Sequence, residues 1–215
     1  SLTEQAFAKL SADIRCCRLK PGSEVSEAEL SDRMKMSKTP IREALTRLSI
    51  AGFVRSIPRR GYAIAPLTVQ DFSELVDIRT MVEIGIVGAV VERITERELD
   101  ELERLAHSSY DPHVVTTLDD FIAANRAFHL AIAKATGNLR LQKITLGEFD
   151  ELERYFYVGA QAHDINLETN ADHLAIVQVL RRRDVEGARR IIVAHNERTR
   201  RNVIDALTSP LARMR

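Results

Sequence analysis

The 215-residue chain is 45% apolar and 29% charged with no net charge, a balance that excludes a disordered chain and leaves room for one or two packed domains. The charge is uneven: residues 1–66 hold 12 Lys and Arg against 7 Asp and Glu, and the rest holds 19 against 24. A basic front and an acidic back point to an anionic partner at the front alone, and no apolar run nears the roughly 20 residues that cross a bilayer, so no membrane partner is expected.

The first predicted helix covers residues 3–17, with Phe7, Leu10 and Ile14 on one stripe, and Lys20-Pro21-Gly22 ends it in a turn. Its adjacent cysteines, Cys16 and Cys17, suit neither a disulfide framework nor a CxxC site and fit a reducing, cytoplasmic compartment. No leader peptide is read, and the chain begins with Ser1 instead of Met, so native residues are expected ahead of it. Residues 24–26 read as a very short strand. Ser26 then opens a second helix with capping-box spacing to Glu29, its small core drawn from Ala28, Leu30 and Met34. After a tight connection at Lys35-Met36, Ser37 caps a third helix with Pro40 in its first turn. At 100° per residue, Ile41, Ala44, Leu45 and Leu48 share one apolar arc, while Lys38, Thr39, Arg42 and Thr46 share the opposite one. Two cations and two hydroxyls without a carboxylate suit a phosphate-lined groove; an ordinary solvated face is the alternative. Gly52 stops this helix. Residues 53–57 and 61–65 are β-prone, and Pro58-Arg59-Arg60 joins them as a hairpin whose tip carries two arginines.

Residues 20–66 resemble the winged helix-turn-helix of the GntR family of bacterial transcription regulators. The resemblance rests on Pro21-Gly22, on Ser26-Glu27-Ala28-Glu29-Leu30, on the run from Ser37 through Thr39-Pro40-Ile41-Arg42-Glu43-Ala44-Leu45, and on Leu48, Gly52 and Arg60-Gly61. It implies that Lys38, Thr39 and Arg42, with Thr46 on the same face, enter the major groove of operator DNA. The wing of Arg59, Arg60 and Gly61 would enter the minor groove. Ala28 stands where some members carry arginine, and Arg33 or Lys35 is the expected replacement.

Residues 67–71 read as a linker between a front domain, 1–66, and a rear domain, 72–208. Six helices are predicted behind it: from the cap Thr68 to about 94, from the capping box Thr95/Glu98 to about 107, and then over 118–136, 139–160, 167–183 and 184–208. The loop 108–116 contains Pro112 and His113, and Pro210 lies past the last helix. The fold class is therefore mainly α, a winged helix with a small β-hairpin followed by an all-α bundle. Asn125 and His129 lie one turn apart on one face, and His173 and His195 sit among apolar neighbours on two later helices. Neutral imidazole is a common ligand for divalent metals, but histidines 44 and 22 residues apart carry no local metal motif, so separate core histidines remain open. Arg79, among apolar residues of the long first bundle helix, needs an anion: Glu83 four residues on, or a ligand carboxylate. The late run from Arg181 to Arg201 reads as surface charge interrupted by acids, and Gly85, Gly88 and Ala89 permit close helix packing, in the core or at a dimer face.

Residues 72–205 resemble the FCD ligand-binding domain of the FadR subfamily, through Asp77-x-Arg79-x-x-x-Glu83, Asn125-x-x-Phe128-His129, Gly137-Asn138, His173 and His195. The resemblance implies a divalent ion held by Asn125, His129, His173 and His195. Zinc is the first expectation, with nickel or manganese as the others, because Asn125 stands where aspartate is usual and brings no charge. It also implies a small carboxylate effector on Arg79, with Asn138, Arg154 and Tyr157 as further pocket residues. The resulting expectation is a homodimeric repressor whose operator affinity the effector controls. Two alternatives stay open: a metal-dependent enzyme using the three histidines, and a constitutive DNA-binding dimer.

Overall fold

A computed structural model describes residues 1–111 and 115–209; Pro112, His113 and Pro210, placed above in a loop and beyond the last helix, lie outside the described residues. The chain separates into two compact units, Ser1–Leu67 and Thr68–Arg215.

The first unit runs α1 (Leu2–Arg15), β1 (Glu24–Val25), α2 (Glu27–Met34), α3 (Lys38–Ile50), β2 (Val54–Ile57) and β3 (Gly61–Ile64). The apolar arc read in the third helix becomes the centre of the unit: Ile41, Ala44, Leu45 and Leu48 are buried against Ala6, Leu10 and Ile14 of α1 and Leu30 of α2. Ser26 caps α2, its Oγ accepting the Glu29 N–H at 3.1 Å. Only Leu30 of the α2 apolar trio is fully buried. Met34 packs at the edge and Ala28 faces solvent, since a helix of 8 residues presents only a narrow arc to its neighbours. Lys35 adopts the left-handed conformation, φ 53°, which turns the chain from α2 into α3 within three residues. Ser37 occupies the α3 N-cap position with extended backbone but makes no side-chain cap bond. At the far end, Gly52 at φ 79° lets the Phe53 N–H reach the Leu48 carbonyl at 2.9 Å and its own N–H reach that of Ser49 at 3.1 Å. Orphan helix carbonyls are satisfied in this way by a Schellman turn. The expected hairpin is present, and the short strand read at 24–26 joins it over Glu24–Val25: β1 pairs antiparallel with β3, in the order β1-β3-β2.

The second unit contains α4 (Val69–Val90), α5 (Glu96–Ala106), α6 (Val115–Ala135), α7 (Leu139–Ala162), α8 (Asn166–Arg181) and α9 (Val185–Thr208). Residues 67–71, read as linker, hold the N-cap and first turn of α4, because the Thr68 hydroxyl accepts the Asp71 N–H. The long first bundle helix stops at Val90 instead of about 94, and Thr95 and Glu98 then form the complete capping box that starts α5. One apolar cluster joins Ile86, Val87 and Val90 of α4, Leu99 and Leu102 of α5, Phe128 and Ile132 of α6, Ile176 and Leu180 of α8, and Ile192 of α9. Helix α4 packs on α6, α7 and α9, so its inward face looks into the middle of the bundle.

Candidate functional site

The basic face of α3 is fully presented. Lys38, Thr39, Arg42 and Thr46 are all exposed while the opposite arc is buried. Arg42 is held from behind: its Nε and Nη2 donate to the two carboxylate oxygens of Glu27 on α2, at 2.8 and 2.6 Å. Hydrogen bonding from Arg42 holds the Glu27 carboxyl below its usual range. A side-on fork of this kind orients the guanidinium without using Nη1. Thr46 Oγ1 donates back to the Arg42 carbonyl at 2.9 Å, which leaves the hydroxyl oxygen as an acceptor. Arg33 reaches Asp13 on α1, so of the two replacements expected for the missing arginine only Lys35 is turned to solvent without a described acidic partner. At the wing, Arg59 sits at φ 64° on the hairpin tip, and Arg60 pairs with Glu24 of β1 at 3.0 Å. Gly61 has φ 116°, and a Cβ there would stand 2.5 Å from the Val25 carbonyl oxygen. Its function is to let β3 pass close to β1, and its contribution to the wing is conformational.

In the second unit, the three histidines meet. His129 of α6, His173 of α8 and His195 of α9 are buried, with ligating nitrogens all within 4.8 Å of one another. Two of them are held by carboxylates at the other ring nitrogen. His129 Nδ1 lies 2.7 Å from Glu83 Oε1, and His195 Nδ1 lies 3.1 Å from Asp172 Oδ2. An Nδ1–H donated to a carboxylate fixes the tautomer that leaves Nε2 as a lone-pair donor, the arrangement typical of metal-ligating histidine. His173 Nε2 is buried without a hydrogen-bond partner, and its ring stacks on Phe128 at 4.0 Å. Burial first, then the neighbouring charge of Arg79, lowers His129 to about 4 against the opposing pull of Glu83. Burial likewise pushes His173 well below the ordinary imidazole range. Both rings are therefore neutral at pH 7, as metal ligation requires. Donor type at all three rings, the carboxylate-held Nδ1 of His129 and His195, and the neutral state of His129 and His173 thus fit a divalent ion. Asn125, one turn before His129 on α6, is half-buried.

Arg79 is more deeply set than an isolated pair with Glu83 would be. It is 1% exposed, its Nε donates to Glu83 Oε1 at 3.1 Å, and its Nη2 lies 2.9 Å from His129 Nε2 and 3.4 Å from His195 Nε2. The guanidinium thus fills the space towards which two imidazole lone pairs point. Phe149 and Phe156 of α7 wall it, with its Cζ 5.1 and 5.7 Å from their ring centres. Burial would raise Glu83, but Arg79 and then His129 outweigh it, and Asn196 adds a hydrogen bond at 2.9 Å, so the carboxyl stays far below its usual range.

The other pocket residues inferred from the sequence are placed differently. Asn138 is exposed and spends its Oδ1 capping α7, accepting from the Arg140 and Leu141 N–H groups. Tyr157 donates to Asp119 Oδ1 at 2.6 Å, tying α7 to α6. Arg154 is buried on α7, but the α7 side chains described against Arg79 are Phe149 and Phe156. Sequence reasoning missed Asp172, whose only signal is its place beside His173, and Glu148. The latter is buried on α7 and pushed up to about 7, first by burial and then by Glu83. The late arginines are structural: Arg181 meets Asp100 and Glu103, Arg198 meets Asp172, and Arg200 meets Asp77.

Comparison with known proteins matches residues 2–64 to the model for bacterial regulatory proteins of the gntR family and residues 74–198 to the FCD domain. Among sequence relatives, the HTH-type transcriptional regulator YdhC of Bacillus subtilis (strain 168) is 28% identical over 82% of this chain and 79% of its own length. The HTH-type transcriptional repressor RspR of Escherichia coli (strain K12) is 25% identical over 90% of this chain and 85% of its own. Among structures, E. coli McbR/YncC shares the fold with a TM-score of 0.79 at 22% identity, covering 95% of this chain and 98% of that one. No helix among the described residues is long and apolar enough to cross a membrane.

Proposed function

This chain belongs to the GntR family of bacterial regulatory proteins, a DNA-binding regulator and not an enzyme, with an FCD domain behind its winged helix; from that premise we propose that it is a cytoplasmic, homodimeric repressor released from its operator by a small carboxylate. The observation that carries this reading is the meeting of three buried imidazoles with a buried guanidinium. His129, His173 and His195, with the Asn125 carbonyl, would hold a divalent ion, zinc in the first instance, which supplies a Lewis-acidic seat for a carboxylate oxygen. Arg79 is the partner for the same carboxylate. Its Nη2 now rests against imidazole nitrogens, weaker acceptors than an anion, so a carboxylate offers it a better bond. At the operator, Lys38 and Arg42 contribute charge, Arg42 and Thr46 contribute base contacts, and the wing of Arg59 and Arg60 contributes phosphate or minor-groove contacts. Dimerisation is supported by an exposed apolar stripe on α4, where Ile78 and Met81 are followed by the small Gly85 and Ala89.

The test is operator binding by fluorescence anisotropy, with and without zinc and a panel of small carboxylic acids, on wild type and Arg79→Lys. Lysine keeps the charge beside Glu83 but loses the fork. Wild type is expected to release DNA on acid addition and the variant to bind DNA but ignore the acid. Failure of every acid to alter either DNA affinity or thermal stability overturns the effector reading. One observation favours a second reading, a metal-free constitutive binder: the Arg79 contact with two of the three Nε2 atoms closes the polar core without an ion. Metal analysis after zinc dialysis separates the two, since bound stoichiometric zinc that is lost in His173→Ala excludes the second.

A further inference from the structure

Helix α7 carries two buried polar side chains for which the fold provides no hydrogen bond. Both carboxylate oxygens of Glu148 and the hydroxyl of Thr145 lack partners, although Glu148 is 7% exposed and Thr145 1%. They stand three residues apart on one face of the helix. The next residue along, Phe149, lies against the Arg79 guanidinium. Helix α7 packs against α4, α6 and α9, which carry Arg79, His129 and His195, so a side chain buried on its inner face is carried towards that polar core. Among the described His, Cys, Asp and Glu side chains, those close enough to share an ion are the three histidines, and Glu148 is not grouped with them.

We propose that Glu148 and Thr145 form a second subsite of the effector pocket, which recognises a hydroxyl or amino group on the same small acid whose carboxylate Arg79 takes. The inference rests on the carboxylate reading above and narrows it to hydroxy or amino carboxylic acids. Burial favours the neutral form of Glu148; once ionised, the carboxylate only accepts hydrogen bonds, and a hydroxyl or ammonium donor is what completes it. Leaving it buried and unpaired costs more than a neutral bond returns, which is why such groups persist where a ligand completes them. A plain acid would bring a second negative charge towards Glu148 without relief. A hydroxyl or ammonium on that acid reverses the sign of the contact. Sites built to pair a polar ligand group reject analogues lacking it more strongly than apolar pockets reject a missing methylene.

The experiment is calorimetric titration of the zinc-loaded protein with matched acids: acetate, glycolate and glycine, then butyrate, 3-hydroxybutyrate and 3-aminobutyrate. Within at least one set, a donor-bearing acid is expected to bind tenfold or more tighter than its plain counterpart. Glu148→Leu removes that preference and raises the melting temperature of the ligand-free protein, since it deletes an unpaired buried carboxyl. Glu148→Gln, which keeps one acceptor oxygen, retains the hydroxyl preference and loses the ammonium preference, and it carries the test if the leucine variant does not fold. Plain acids binding wild type as tightly as their partners, or a donor preference that survives in both variants, overturns the inference and leaves the carboxylate reading standing. No acid of either kind binding wild type overturns both.

Discussion

Replacing Arg42 by Ala takes one guanidinium from an exposed helix face and touches no core contact, so its effect is expected in recognition and not in stability. Held by Glu27 through Nε and Nη2, the side chain is oriented before DNA arrives. Its loss is expected to weaken operator binding by about 1–3 kcal/mol and random DNA much less, by anisotropy at fixed salt; equal losses on both would make it a phosphate contact. His129 behaves oppositely, since it is a stability residue with a pH signature. Its pKa is lowered in the fold to about 4 from 6.5. The unfolded chain therefore binds a proton that the folded one excludes, and the stability involved is complete above pH 6.5 and lost as pH falls towards 4. Glu148 has the reverse sign: raised from 4.5 to about 7, it contributes stability below its unfolded value that is lost as pH rises through 7. Metal-stripped wild type is expected to lose melting temperature between pH 6.5 and 5, and Glu148→Gln to steepen that loss, because the opposing group is gone.

At the scale of elements, the wing depends on a single backbone geometry. Gly61 begins β3 at φ 116°, with the Val25 carbonyl where a Cβ would go. Gly61→Ala is expected to destabilise the first unit by roughly 1–3 kcal/mol and to impair DNA binding out of proportion, since the hairpin turn carrying Arg60 must shift with the start of β3. Thermal melting alongside operator titration checks this, and an unchanged melting temperature would show that β1 and β3 can separate at little cost. Helix patterning in this region was legible because it is local: the arc of Ile41, Ala44, Leu45 and Leu48 needs only the 3.6-residue period. The third strand was harder to read, since two residues, Glu24 and Val25, carry no alternation and are made a strand by Ala63 and Tyr62 beside them.

At the scale of the whole chain, ligand and metal act through mass action. Zinc at about 100 times its dissociation constant adds roughly 2.7 kcal/mol if it binds only the folded state, so chelation is expected to lower the melting temperature and zinc to restore it. By the same linkage, an acid that weakens operator binding by some factor must itself be bound more weakly, by that factor, when operator is present; a one-sided effect would refute coupling. The sequence alone determined what depends on neighbours a few residues apart: the basic face of α3, the caps at Ser26, Thr68 and Thr95, and the stop at Gly52, while it left Glu83 as one of two partners for Arg79. It also supplied the histidines, but their separations of 44 and 22 residues say nothing of distance in space. Only the packing of α6, α8 and α9 brought their nitrogens within 4.8 Å. Only the packing of α4 and α7 put Arg79 among them and left Glu148 buried without a partner. Periodicity fixes which face of a helix is apolar, but which polar side chain is carried inside on that face, and what it meets there, depends on contacts between helices distant in the chain.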